Sequence, residues 1–246
     1  MKKINLMPMA GKGIRFIKVG IKQHKPLIKI NNNHMFVEAG KSMPFANEWI
    51  YIYKNHYKTK INLKSILPTS QIKKSKVIYL SKSTQGQAAT CLLASKYISP
   101  NDQIFIHPCD CFIKYKKSDY YNLIKKYDVI IFTIKPNLYN LNNIKSFGWV
   151  CGNKEKIISI KCKEKASNNP NKDYVIVGTF AFRKKTFFEY SILNLLKKNK
   201  RINNEFYMDS AIQEAIKLKF KVFNFVVEKH FSWGSPEELK IYQKKF

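Results

Sequence analysis

The strongest constraint on this chain is the alternation of short apolar runs with helical stretches through its first half. "INLMPMA" is a β run that ends at a glycine loop. "KPLIKI" reads as a second short strand, and "NNNH" turns after it. "EWIYIY", "KVIYL", "DQIFIHP" and "DVIIFTI" follow as strands. "GQAATCLLASKYI" and "YYNLIKKY" lie between them with apolar residues at helical spacing. Alternation of this kind up to Ile134 predicts a mostly parallel sheet covered by helices on both faces.

The second half has a different rhythm. "FGWVCGNKEKIISIKCKEK" reads as a hairpin around Gly152-Asn153, and "DYVIVGTFAFR" as a long strand. Two helices, "TFFEYSILNLLKK" and "EFYMDSAIQEAIKL", precede a last strand, "FKVFNFVVE". "SPEELKIYQKK" opens a final helix, with Ser235 as cap and Glu238 at the capping-box position. "KPNLYNLNNIKS" reads as an asparagine-rich loop of the kind that carries or gates a site. The 246 residues, 45% hydrophobic, suit a single domain. The change of rhythm divides it into two halves, 1–134 and 135–246.

The net charge of +29 invites a nucleic-acid reading, but its make-up argues against one. Only Arg15, Arg183 and Arg201 among the 45 basic residues are arginine. Nucleic-acid surfaces favour arginine for its planar, bidentate fork. The lysines are also spread along the whole chain, so no specific nucleic-acid partner is expected. Cys91, Cys109, Cys111, Cys151 and Cys162 form no disulfide framework, and Cys109-x-Cys111 lacks the second pair a zinc site needs. No run is long enough to span a membrane, and Met1–Pro8 lacks a signal peptide's apolar core. The expectation is a cytoplasmic protein with no membrane partner.

Arg15 stands in "MAGKGIRF", directly after the first strand. Glycines there let backbone N–H groups approach a phosphate, although Gly-x-Gly alone also fits a plain turn. The loop is neither a P-loop nor a dinucleotide fingerprint, because Ile14-Arg15-Phe16 replaces the third glycine and no helix obviously begins there. Ten residues on comes "HKPL", with Lys25 before Pro26.

Together these segments resemble the sugar-phosphate nucleotidyltransferase (sugar-nucleotide pyrophosphorylase) family, which opens with Ala-Gly-x-Gly-x-Arg and a Pro-Lys-Pro-Leu segment. Here they are Ala10-Gly11-Lys12-Gly13-Ile14-Arg15 and His24-Lys25-Pro26-Leu27, with histidine for the first proline. The likeness continues in order. "STQGQAATCLLA" resembles the base-contacting turn, with Gln85 and Gly86, and "IFIHPCD" the strand ending in a metal-binding aspartate, Asp110. "FGWV" places Gly148 near the sugar. "KEK" matches the Glu-Lys pair as Glu164-Lys165, and "VGTFAF" supplies Gly178-Thr179. "NEFYMDSAIQEAI" and "WGSPEEL" match the closing motifs.

The resemblance implies a single Rossmann-like (GT-A-like) three-layer α/β domain with a mixed, mostly parallel central sheet. It implies transfer of an NMP from an NTP to a sugar 1-phosphate with release of pyrophosphate, for surface-polysaccharide precursors. Arg15 would bridge the triphosphate, cradled by Ala10, Gly11 and Gly13, and Lys25 would neutralise charge developing on the α-phosphate. Asp110 would hold Mg²⁺ and, at a strand end, contribute little to packing. Gln85 and Gly86 would meet the base; Gly148, Glu164, Lys165, Gly178 and Thr179 would meet the acceptor. In many relatives a second carboxylate sits where this chain has Ser232, so serine, water and phosphates complete the metal shell, or an acid such as Glu228 reaches in. His24, His107, Cys109 and Cys111 are expected to pack rather than react.

Three other readings compete: a cytidylyltransferase acting on a phospho-alcohol such as phosphocholine, a GT-A-type glycosyltransferase, and a basic polyanion-binding protein. Asp110-Cys111-Phe112 lacks the Asp-x-Asp of most GT-A enzymes. The expected partners are an NTP and a small phosphorylated acceptor, with a homo-oligomer compatible with the sequence.

Overall fold

The computed structural model describes residues 1–30, 32–55 and 61–243. Its strands are β1 (Lys3–Met9), β2 (Lys29–Ile30), β3 (Asn33–His34), β4 (Glu48–Lys54), β5 (Ser75–Leu80), β6 (Gln103–Ile106), β7 (Cys111–Lys114), β8 (Val129–Ile134), β9 (Gly148–Gly152), β10 (Ile157–Cys162), β11 (Tyr174–Phe182), β12 (Val222–Val226) and β13 (Lys229–Ser232).

Nine of these form one sheet among the described residues. Along one path it runs β10-β9-β11-β6-β1-β4-β5, and β8 pairs with both β11 and β12. β1 is parallel to β4 and β6, β4 to β5, and β8 to β12. β11 is antiparallel to β6, β8 and β9, and β10 to β9. So β1, β4, β5, β6, β8, β9 and β12 point one way, and only β10 and β11 oppose them. The sheet is mixed and mostly parallel, as the alternation predicts. The register of β11 shifts between Ile176 and Phe180. Gly178 lies inside that shift with φ +78°, a conformation that favours glycine.

The period-2 pattern sorts side chains by face. Tyr51, Tyr53, Phe105 and Phe132 join one buried cluster, while Ile50, Ile52, Ile104 and Ile131 join the other. The aromatic face is covered by helices Met35–Gly40, Lys117–Lys126 and Pro236–Gln243, through Phe36, Tyr120 and Leu239. The aliphatic face is covered by Gln87–Leu92, Lys185–Lys197 and Met208–Lys217, through Cys91, Phe188, Ile192 and Ile212. No helix among the described residues is long and apolar enough to cross a membrane.

Four local expectations are corrected. "KPLIKI" is a one-turn 3-10 helix, Lys25–Leu27, before the two-residue β2, because His24 and Ile28 are extended on either side of the proline turn. A single helical turn, Ile14–Ile17, does begin after the glycine loop; the Gly13 carbonyl accepts from Phe16 N–H at 3.0 Å and Phe16 is buried beneath it. The asparagine-rich loop contains a helix, Leu138–Asn142, whose Asn137 and Asn140 side chains cap each other's backbone. The β6 strand stops at Ile106, and β7 then pairs with β13 in a small separate sheet, so Asp110 lies in the turn between β6 and β7.

Candidate active site

The C-terminal ends of β1, β5 and β6 open onto one cavity of about 900 Å³. Crevices at this edge are where open α/β sheets bind ligands. Ala10, Gly11 and Gly13 form one wall, and Gln85 and Gly86 another; Lys25 and Asp110 meet at the floor. Arg15 faces in from the Ile14–Ile17 turn. It makes no ion pair among the described residues, whereas Arg183 pairs with Asp128, and Arg201 lies over the Phe206 ring. Of the three arginines, the one in the glycine loop is left open to an incoming anion.

Lys25 Nζ donates to Asp110 Oδ2 and, at 3.2 Å, to the Gly234 carbonyl. Burial works against both charges, and each partner outweighs that burial for the other. The Lys25 pKa is raised and the Asp110 pKa lowered. The Asp110 side chain is only 25% exposed, so it is not the solvated strand-end carboxylate expected from sequence. The Asp110 carbonyl also accepts from Trp233 N–H at 2.7 Å, which ties this turn to the end of β13.

That tie brings three oxygens together. A Cβ built on Gly234 would lie 3.0 Å from Glu238 Oε2, 3.4 Å from Ser232 Oγ and 3.5 Å from Asp110 Oδ2. Glu238 lines the cavity. Glu228 does not: its backbone N–H bonds the Lys114 carbonyl at the far end of the β7–β13 pair.

The nucleotide-side turn is stitched to a segment the sequence did not single out for contact. Phe206 N–H donates to Gln85 O at 2.7 Å and Ala88 N–H to Phe206 O at 2.9 Å. Any Cβ at Gly86 would fall 2.5 Å from Phe206 N, and Gly86 has φ +115°, so only glycine fits. Asn203 and Asn204 both have positive φ inside a turn closed by reciprocal Ile202–Glu205 bonds of 3.0 Å. An Asn-Asn pair is a ready signal for a turn with two left-handed residues. Asn203, Asn204, Tyr139 and Ser146 add neutral hydrogen-bonding groups to the cavity lining, and Glu205 adds a carboxylate. Arg201 Nη2 donates to Gln85 Oε1 at 3.1 Å, which leaves the Gln85 amide nitrogen free to present a donor.

The acceptor-side candidates are placed elsewhere. Glu164 and Lys165 are exposed, Glu164 pairs with Lys161 at 3.3 Å, and neither lines the cavity. Thr179 is fully buried against His107. His107 Nε2 faces the Cys111 carbonyl, which can only accept, so Nδ1 accepts from the Thr179 hydroxyl. Burial pushes His107 down to about 4, and it stays neutral, a packing residue as expected. Gly148 exists for close approach: its Cβ would meet Asp209 Oδ2 at 2.1 Å. Cys109 and Cys111 are buried free thiols, and burial pushes Cys109 up to about 12. That excludes an accessible thiolate there.

Residues 6–233 match the nucleotidyl transferase family. The chain belongs to that family. As a nucleotidyl transferase it is an enzyme of nucleotidyl transfer, which sets aside the glycosyltransferase and polyanion-binding readings. No curated protein matches the sequence. Among solved structures, a nucleoside-diphosphate-sugar pyrophosphorylase from Vibrio cholerae shares 17% identity and a TM-score of 0.79, over 98% of this chain and 99% of that one. An inositol-1-phosphate CTP transferase from T. maritima shares 16% identity and a TM-score of 0.71, over 98% and 93%. A UDP-glucose pyrophosphorylase in complex with UDP-glucose shares 19% identity and a TM-score of 0.73, over the whole of both chains. These likenesses carry the three-layer fold.

Proposed function

We propose that this nucleotidyl transferase moves an NMP from an NTP onto a sugar 1-phosphate and releases pyrophosphate. The observation that carries the reading is the convergence of Arg15, Lys25 and Asp110 on one cavity that is also lined by neutral hydrogen-bonding groups. Two cations and a glycine loop suit a triphosphate, and Asn203, Asn204, Tyr139 and Ser146 suit the hydroxyls of a sugar.

An oxygen of the acceptor phosphate attacks the α-phosphorus, the bond from that phosphorus to the β-bridging oxygen breaks, and pyrophosphate leaves. The nucleophile is already an anion, so no general base is needed. The protein's task is positioning and charge neutralisation. Arg15 grips the triphosphate with its planar fork. Lys25 holds its ammonium where charge grows on the α-phosphate. Gln85 offers its amide N–H to a base carbonyl. The oxygen donors around Gly234 suit a hard cation, with Asp110 as the residue to hold Mg²⁺. A bound Mg²⁺ supplies neutralisation and orientation of the triphosphate.

A matrix of ATP, GTP, CTP, UTP and dTTP against sugar 1-phosphates, phosphocholine and other phospho-alcohols, scored by pyrophosphate release, tests this. Release that requires both an NTP and a sugar 1-phosphate is expected. Release only with phosphocholine or another phospho-alcohol replaces the acceptor and keeps the transfer chemistry.

A further inference from the structure

The family position for a second metal carboxylate is a serine here, yet a carboxylate stands beside it from another element. Ser232 ends β13, and two residues on Gly234 turns the chain into the helix Pro236–Gln243. That helix start is fixed. Ser235 Oγ accepts from Glu238 N–H at 3.2 Å, and Ser235 O accepts from Leu239 N–H at 3.0 Å. Leu239 is buried in the aromatic-face core. The anchoring aims Glu238 back over Gly234, into the space that Asp110 Oδ2 and Ser232 Oγ also reach.

Charge points the same way. The chain carries a net +29, and several of its half-buried or buried acids use that surplus, while Asp102, Asp173 and Asp209 are held by hydrogen bonds instead. Glu38 pairs with Lys41, Asp128 with Arg183, Glu214 with Lys198 and Lys217, and Asp110 with Lys25. Glu238 is partly buried and makes no ion pair among the described residues. A partly buried carboxylate with no cation of its own leaves room for one beside it. Here that cation would come from solution.

We propose that Glu238 supplies the second carboxylate of the divalent-metal site, in place of the residue that Ser232 leaves neutral. Mg²⁺ typically takes one or two protein carboxylates and fills the rest of its shell with water and phosphate oxygens, so Asp110 and Glu238 suffice. A glutamate reaches one methylene further than an aspartate. That extra length lets a residue on the helix serve a position the family fills from the strand end. The inference rests on the nucleotidyl-transfer reading only for the presence of a metal.

Mn²⁺ titration of the purified protein, with free Mn²⁺ followed by electron paramagnetic resonance and no nucleotide present, tests it. Asp110→Asn and Glu238→Gln are each expected to weaken Mn²⁺ binding by about tenfold or more. The double variant S232D/E238Q moves the carboxylate back to the strand and is expected to regain affinity. Glu237→Gln, an exposed neighbour, controls for general charge and should bind as the parent does. Parent-like binding by E238Q, with loss in D110N, overturns the role of Glu238 and leaves the metal site standing. Parent-like binding in both variants overturns the metal site itself. A folded double variant that fails to recover also counts against the proposal. If melting curves show E238Q to be unstable, Glu238→Asp retracts the same charge by one methylene. It should weaken Mn²⁺ too, and unchanged binding there overturns the assignment.

Discussion

Lys25 and Asp110, 85 residues apart in sequence, form an ion pair at the floor of the cavity. One comes from the turn after the glycine loop and the other from the turn between β6 and β7. The pair is both a folding contact and a pair of reagents. Asp110→Asn should therefore cost kcat about 10²-fold, roughly 2.7 kcal/mol of transition-state stabilisation. It should also lower the melting temperature, because it leaves a largely buried ammonium unpaired. The double variant Lys25→Met/Asp110→Asn separates the two effects. Its melting temperature should recover relative to D110N while its turnover does not. Turnover that recovers with stability would make Asp110 structural only.

Arg15→Lys tests the bidentate grip on the triphosphate. The residue is exposed on a one-turn helix, so the exchange leaves the fold unchanged. A point charge replaces a planar fork, and kcat/KM for the NTP should fall by about tenfold or more. Steady-state kinetics with varied NTP give the answer, and an unchanged kcat/KM removes Arg15 from the site.

Base selection should depend on Arg201. Its guanidinium holds Gln85 Oε1 and stacks over Phe206 at 4.6 Å. Without it the Gln85 amide is free to rotate and to present either end to the base. Arg201→Ala should shrink the ratio of kcat/KM between the best and second-best NTP, with less effect on the acceptor KM. An unchanged ratio would leave Arg201 a surface residue.

Asp209 gives a pH dependence with a defined sign. Burial pushes its carboxyl up to about 6, beside the Cys162 thiol and the glycine at position 148. An unfolded aspartate titrates near about 3.9. Between these values the folded state holds the extra proton, so the wild-type protein loses stability as pH rises from about 4 to about 6. Asp209→Asn cannot ionise. The melting temperature of the variant relative to wild type should rise across that window and level off above it. A difference that stays constant from pH 4.5 to 7.5 would contradict the assignment.

Much of this was legible in the sequence where local pattern and tertiary demand coincide. β1, β4, β8 and β12 are apolar runs buried on both faces, and β9–β10 is a hairpin with Gly152 at its turn. The loop from Ala10 to Arg15 and the Lys25 segment could be read because glycine, arginine and Lys-Pro stand out against a lysine-rich background. The rest depended on contacts far apart in the chain. Glu238 is an ordinary helix-start glutamate until Asp110 and Gly234 are placed beside it. Arg201 and Asn203-Asn204 form no motif of their own and matter through the Gln85–Gly86 turn. Glu164 and Lys165 show the reverse: a pair that matches a family motif in sequence stands on the surface in this fold.

The central claim is that an acceptor phosphate attacks the α-phosphorus and displaces pyrophosphate. It is tested most directly by following label from [α-32P]NTP and [γ-32P]NTP, in separate reactions, with the sugar 1-phosphate that supports turnover. The α label should appear in a nucleoside diphosphate sugar and the γ label in pyrophosphate. A γ label on the acceptor, or an α label released only as free NMP, would contradict the account.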